Sequence, residues 1–194
     1  MFSPNWRDLM VHECSPDFGA SSYYLRQGCV NYVATQYDKS LRPGEINVEK
    51  GYRCEDLEHQ TFPDDSFDLV ISQAVFEHIF RPDLAIKEIA RTLKPGGYYI
   101  MTVPWGSPDD PSVRRASLVD GVVIHHMEPI YHGNPVDDAG SLVTIDWGHD
   151  IAHYLAVHSG MSTSILFFDD LSKGMRGASI DVVVCRKIVE VPVI

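Results

Sequence analysis

The sequence predicts a three-layer α/β domain on a mainly parallel sheet of seven strands, and three observations carry that prediction. The first is the run 62–103. An acidic turn (Pro63, Asp64, Asp65, Ser66) leads into an apolar strand at 67–72, and a helical stretch follows over 82–93. Lys94-Pro95-Gly96-Gly97 then separates that helix from a second apolar strand at 98–103. Strand, helix, turn and strand form a βαβ unit, which places parallel neighbours in one sheet. The second observation is that short apolar runs of strand length recur along the whole chain. The third is the ending: the apolar runs 163–168 and 180–185 are joined by the charged, Gly-containing stretch 169–177, with no helix between them. That ending predicts an antiparallel hairpin at the sheet edge. At 194 residues and 44% hydrophobic composition, one domain over 1–194 with a sizeable core is expected.

The elements follow in order. Residues 9–13 read as a short buried strand, interrupted by Ser15-Pro16-Asp17. Residues 19–26 have helical content, and Gly28 is placed to end that helix. Residues 30–35 form the second strand, 38–49 a polar connection, and 51–54 the third strand. The fourth, 67–72, stops at the small polar pair Ser72 and Gln73, and 98–103 is the fifth. Residues 104–147, rich in Pro, Gly, Asp and His, show no periodicity and read as an insertion. Residues 150–159 are helical, with Ile151, Tyr154, Leu155 and His158 at helical spacing and Gly160 behind them.

Charge narrows the function. The formal net charge of −11 repels a phosphate backbone, and no run of Lys and Arg offsets it, so a nucleic-acid partner is not expected. Cys14, Cys29, Cys54 and Cys185 form no C-x-x-C pair and read as reduced, buried thiols. The N-terminus has no apolar signal core and no run approaches a membrane span, so a cytoplasmic protein without membrane association is expected. A homodimer is admitted, not required, by the sequence.

The wording of 55–103 is more specific than its topology. An acidic residue followed by Leu (Asp56-Leu57), then F-P-D-D-S-F-D-L-V (62–70), then Glu77-His78, then L-K-P-G-G (93–97) resembles the class I S-adenosylmethionine-dependent methyltransferases of the type 11 group. The resemblance implies a Rossmann-like sheet and S-adenosylmethionine as cofactor. It also implies site residues. The family's first strand ends in E/D-x-G-x-G-x-G, and here that register reads Glu13, Ser15, Asp17 and Gly19. Glycine serves there because backbone approaches the cofactor closely, in places at positive φ; Ser15 and Asp17 are small, and Asp tolerates left-handed backbone. His12-Glu-Cys-Ser-Pro16 resembles a bacterial subgroup with H-E-x-S-P at this position. After the second strand the family places an acid that holds the ribose, and here Gln36 stands, able to donate and accept but without charge. Asp56 falls where the family accepts from the adenine amino group, with the Leu57 N–H beside it, and Ser72 and Gln73 line the floor. These departures favour a rival reading, a non-catalytic methyltransferase-like binding module.

The acceptor side is expected in the insertion 104–147. It holds His125-His126, Y-H-G-N-P (131–135) and S-L-V-T-I-D-W-G (141–148), segments that resemble the same subgroup. Methyl transfer needs alignment of the acceptor and, for a hydroxyl, removal of a proton, which suits a histidine oriented by a carboxylate. His132 with Asp146 is the expected catalytic pair, with His126 or His149 in reserve. His125, His126, His132 and Asp146 match no established metal-ligand spacing, so no metal is expected. The acceptor is expected to be a small or saccharide-like molecule methylated at oxygen.

Overall fold

The computed structural model describes residues 5–17, 19–107, 109–136, 138–177 and 180–189. After a 3-10 turn at Trp6–Asp8 the chain forms β1 (Met10–Cys14), α1 (Ala20–Gly28), β2 (Asn31–Gln36), β3 (Ile46–Asn47), β4 (Tyr52–Cys54) and β5 (Phe67–Gln73). A second 3-10 turn, Phe76–His78, precedes α2 (Pro82–Thr92) and β6 (Leu93–Thr102). Short strands follow: β7 (Trp105–Ser107), β8 (Val113–Arg114), β9 (Ala116–Val119), β10 (Val122–His125), β11 (Tyr131–His132), β12 (Ser141–Leu142) and β13 (Ile145–Gly148). The chain then builds α3 (Ile151–Ser159), β14 (Ser162–Leu166) and β15 (Val182–Arg186).

The main sheet has eight strands in the order β14-β15-β6-β5-β1-β2-β4-β3. Strands β6, β5, β1, β2 and β4 are parallel, while β15, β14 and β3 run against their neighbours. The eighth strand, beyond the seven expected, is β3: Ile46 and Asn47 pair with Arg53 and Tyr52 inside what the sequence shows only as a polar connection. The closing pair is antiparallel as expected, but β15 lies inside the sheet between β6 and β14.

The βαβ unit forms because each of its parts suits its place. Pro82 sits in the first turn of α2, where a missing N–H costs nothing, and Ala85, Ile86 and Ile89 point one fully buried face at the sheet. The helix stops at Thr92, and Leu93 already pairs with Phe67. The ladder resumes at Leu69 with Tyr98, so residues 94–97 bulge out of β6 and the strand starts earlier than the turn signal implied. Gly97 cannot carry a side chain there, since a Cβ would stand 2.9 Å from the Lys94 carbonyl and 3.0 Å from that of Asp68.

The core fills the α2/α3 side of the sheet with Phe67, Val70, Phe76, Tyr99, Met101, Trp147, Ile151, Leu155 and Val183. The other face is thinly covered by α1, and between them Ile71, Ile100, Val182, Tyr24 and Leu25 line a shallow apolar cavity of about 420 Å³. All four cysteines are buried free thiols. Among the described residues no helix is long and apolar enough to cross a membrane.

Candidate active site

Strand β1 lies between β5 and β2, and the loops leaving the carboxyl ends of these strands meet above it, where ligands bind in open α/β sheets. The chain leaves β1 through Ser15, whose φ of 53° is left-handed backbone on a non-glycine residue. The Ser15 N–H is held by the Thr35 carbonyl at 2.7 Å, and its hydroxyl donates to Oε1 of Gln36 at 2.7 Å. Gln36 is buried and returns an Nε2 bond to the Pro16 carbonyl at 3.2 Å. The loop therefore keeps the backbone shape a glycine would give and replaces its freedom with side-chain bonds. Asp17 accepts from the Gly19 N–H at 2.7 Å, bridging the loop to the start of α1.

Beneath this loop, the buried Glu13 carboxylate accepts from the hydroxyls of Ser22 and Tyr32, each at 2.6 Å. Burial and that bond push the Tyr32 phenol up. Gln73 donates to the Ser21 hydroxyl at 2.7 Å, tying the end of β5 to α1. Ser72 is fully buried and shares a 2.7 Å bond with the Tyr99 hydroxyl, which makes it floor and not surface. At the end of β4, the buried Glu55 accepts from Arg53 at 2.6 Å and from the Thr61 N–H at 2.8 Å, which fixes the turn carrying Asp56 and Leu57. Asp56 is half-buried, and its Oδ1 accepts from the Glu58 N–H at 2.9 Å. Glu13, Ser15, Asp17, Gly19, Gln36, Ser72 and Gln73 thus gather around the ends of β1, β2 and β5, with Asp56 and Leu57 on the β4 side.

The acceptor-side residues fall into two groups. Asp146, on β13, is bound by Arg115 at 2.6 Å, and Arg115 also donates to the Glu128 carbonyl at 2.8 Å. His126 is exposed and pairs with the Ser117 hydroxyl at 2.9 Å across the β9/β10 hairpin. The carboxylate beside His132 is not that of Asp146 but that of Glu77, with Nδ1 and Oε1 3.7 Å apart. His78 completes this second group: its ring meets His132 edge-on at 5.0 Å, and its Nε2 lies 3.6 Å from Glu77. His78 Nδ1 contacts the Leu142 carbonyl at 2.9 Å, which fixes that nitrogen as the donor. Glu77 is 2% exposed, and burial raises its carboxyl to about 7. Burial also lowers the His78 imidazole.

Thr144 joins the groups. Its N–H and hydroxyl donate to the Glu77 carbonyl at 2.8 and 3.0 Å, and its hydroxyl also reaches the Ile79 carbonyl at 2.7 Å. Arg115 carries no motif in the sequence, Thr144 stands there only as one residue of the run 141–148, and Glu77-His78 is visible there only as a pair. The convergence of Glu77 with His132, 55 positions apart in the chain, has no local signal.

Residues 16–101 match the family model described as a methyltransferase domain. Sarcosine/dimethylglycine N-methyltransferase of Halorhodospira halochloris is 27% identical over 164 residues, covering 79% of this chain and 58% of that protein, so this chain spans less than two thirds of that relative. Among solved structures, an S-adenosylmethionine-dependent methyltransferase from Mesorhizobium loti superposes with a TM-score of 0.61 at 15% identity, over 95% of this chain and 93% of that one. The 1,6-didemethyltoxoflavin-N1-methyltransferase of Burkholderia thailandensis, solved with 1,6-didemethyltoxoflavin and S-adenosylhomocysteine, gives 0.57 at 14% identity over 94% and 72%. The structural likenesses establish the fold. With the family-model match, residues 16–101 carry a methyltransferase domain, and the chain as a whole has the fold of the S-adenosylmethionine-dependent methyltransferases.

Proposed function

We propose that the protein transfers a methyl group to a hydroxyl of a small or saccharide-like acceptor, with the acceptor seated where β11, β12 and β13 meet the Phe76–His78 turn. The observation that carries this reading is the pair His132 and Glu77. The His132 side chain is 39% exposed while the Glu77 side chain is 2% exposed, so the imidazole has one side on solvent and the other on a fixed carboxylate. That is the arrangement of an oriented base.

S-adenosylmethionine, when bound, supplies a sulfonium methyl that needs alignment more than activation. The loop Ser15, Asp17 and Gly19 presents backbone to the methionine part, and Gln36 and Asp56 mark the ribose and adenine ends. Glu13 holds the loop from below through Ser22 and Tyr32, with Gln73 beside it. His132 takes the acceptor proton and Glu77 steadies the imidazolium. Asp146 keeps an acceptor-binding role, set by Arg115, and His126 lies outward on the hairpin.

The rival reading, a binding module without turnover, is favoured by one observation: Gln36 spends both ends of its amide on the Ser15–Pro16 loop. One experiment separates the two. Wild type and His132→Ala are assayed against hydroxylated small molecules, sugars and amines for release of demethylated cofactor, with cofactor affinity measured by calorimetry. Turnover that falls roughly 10²–10⁴-fold in His132→Ala at unchanged cofactor affinity supports the base. Cofactor binding with no turnover on any acceptor favours the module, and turnover on amines alone moves the acceptor atom to nitrogen.

A further inference from the structure

Among the described residues, Glu77 is a buried carboxylate that stands apart from the other buried acids. Both of its carboxylate oxygens are shut away from solvent, and neither has a hydrogen-bond partner among the described residues. A carboxylate so placed costs several kcal/mol unless something neutralises it. Two imidazoles stand against it, His78 Nε2 at 3.6 Å and His132 Nδ1 at 3.7 Å, and one ligand atom from each of the three residues falls within 4.8 Å of the others. These separations are too long for hydrogen bonds and close to the roughly 3.3 Å that tetrahedral ligands at about 2.0–2.1 Å from an ion would keep.

The geometry points to a divalent-cation site formed by Glu77, His78 and His132, taking a first-row ion of the zinc type. Three features select that class of ligand. The donors are two imidazole nitrogens and one carboxylate, a borderline set that suits zinc and its neighbours and not the oxygen-seeking calcium or magnesium. His78 is held by the Leu142 carbonyl at Nδ1, the outer-shell bond that metal-ligating histidines use to turn the other nitrogen's lone pair inward. Three protein ligands with one of them half-exposed leave coordination open toward solvent, as in catalytic and not structural sites.

The inference rests on the acceptor placement proposed above and deepens it: an oxygen-bearing acceptor would fill the open position beside His132. With the ion in place His132 is a ligand, and its role as a base belongs to the metal-free protein. The expectation of no metal was drawn from His125, His126, His132 and Asp146; only His132 of that set enters this cluster.

The test uses the full chain stripped with a chelator and titrated with Zn²⁺ and Co²⁺ in the absence of acceptor. Wild type is expected to bind about one equivalent and to show the visible absorption of low-coordinate cobalt. Glu77→Gln and His132→Ala are each expected to weaken binding by about 100-fold or more. Glu77→Gln is isosteric and removes a buried charge that no hydrogen bond satisfies, so its apo melting temperature is expected not to fall; His132→Ala alters a half-exposed position and serves as the second variant. Absence of binding in folded wild type overturns the site, as does binding that survives both substitutions, which would place the ion on other histidines. Either result leaves His132 standing as a base, whereas a bound ion with no methyl transfer to any acceptor would sink the acceptor placement alone.

Discussion

The hydroxyl of Ser15 donates to Oε1 of Gln36 at 2.7 Å, so two residues that depart from the pattern the resemblance implies, one where it expects a glycine and one where it expects an acid, are bonded to each other. The two departures from the family pattern are one structural unit. The loop shape is held by a side chain reaching across from β2, which a glycine loop does not need.

That unit can be dissected by substitution. Ser15→Gly keeps the left-handed backbone and loses the hydroxyl, and is expected to cost about 1 kcal/mol of stability. Ser15→Val loses the same bond and forces a β-branched residue to a φ of 53°, adding about 1–2 kcal/mol. Urea unfolding of both variants measures the difference. Equal stabilities would mean that the left-handed turn relaxes freely.

His12 makes stability depend on pH. It is fully buried between the rings of Phe62 and Phe67, with Nε2 2.8 Å from the Thr35 hydroxyl, and burial lowers its pKa to about 3. The unfolded chain takes up this proton near 6.5 and the folded chain does not, so stability is lost as pH falls from 6.5 toward 3. The slope reaches at most about 1.4 kcal/mol per pH unit. Denaturant titrations between pH 7 and 4.5 on wild type and His12→Gln should show a flatter profile in the variant, and parallel profiles would contradict a neutral His12.

Gly148 sits where β13 passes the backbone of 110–112. A Cβ there would collide with the Asp110 carbonyl and lie 2.9 Å from the Ser112 nitrogen, and neither is a flexible side chain. Gly148→Ala is expected to cost about 1–3 kcal/mol as the backbone shifts. The same shift would disturb Ser112, whose hydroxyl accepts from the Gly148 N–H at 3.0 Å. A lowered melting temperature is the expected reading, and an unchanged one would show that the two segments part easily.

The parallel half of the sheet was legible because its signals are local. The acidic turn, the apolar run and the Pro-Gly-Gly break each fix one part of the βαβ unit. The edges were less so: β3 is two residues long, and an apolar pattern cannot announce a strand that short. The β9/β10 hairpin did carry a signal that went unused. Asp120 and Gly121, both at positive φ between Val119 and Val122, are the Asp-Gly turn that two-residue hairpins favour. Around the site, Glu77 and His78 were visible as a motif, but their meeting with His132 depends on β11, β12 and Thr144, which only tertiary contact brings together. Asp146 looked like a partner for His132 because both sit in the insertion segments 131–135 and 141–148 that share one resemblance; Arg115, which binds it, lies 31 positions upstream and carries no motif.

Thr144 has an evolutionary consequence. It locks the root of the insertion to the main-chain carbonyls of Glu77 and Ile79, while β10, at the tip, is exposed along its whole length. Descendants of this sequence can therefore lengthen, shorten or recolour the tip without disturbing the rooted end, and selection acting on what the pocket admits has a segment on which to work at low risk to folding. Replacement of Thr144 itself has no such latitude, because its one hydroxyl reaches two main-chain carbonyls at once. Divergence among relatives should accordingly concentrate between residues 117 and 127 and thin out sharply on approaching 144.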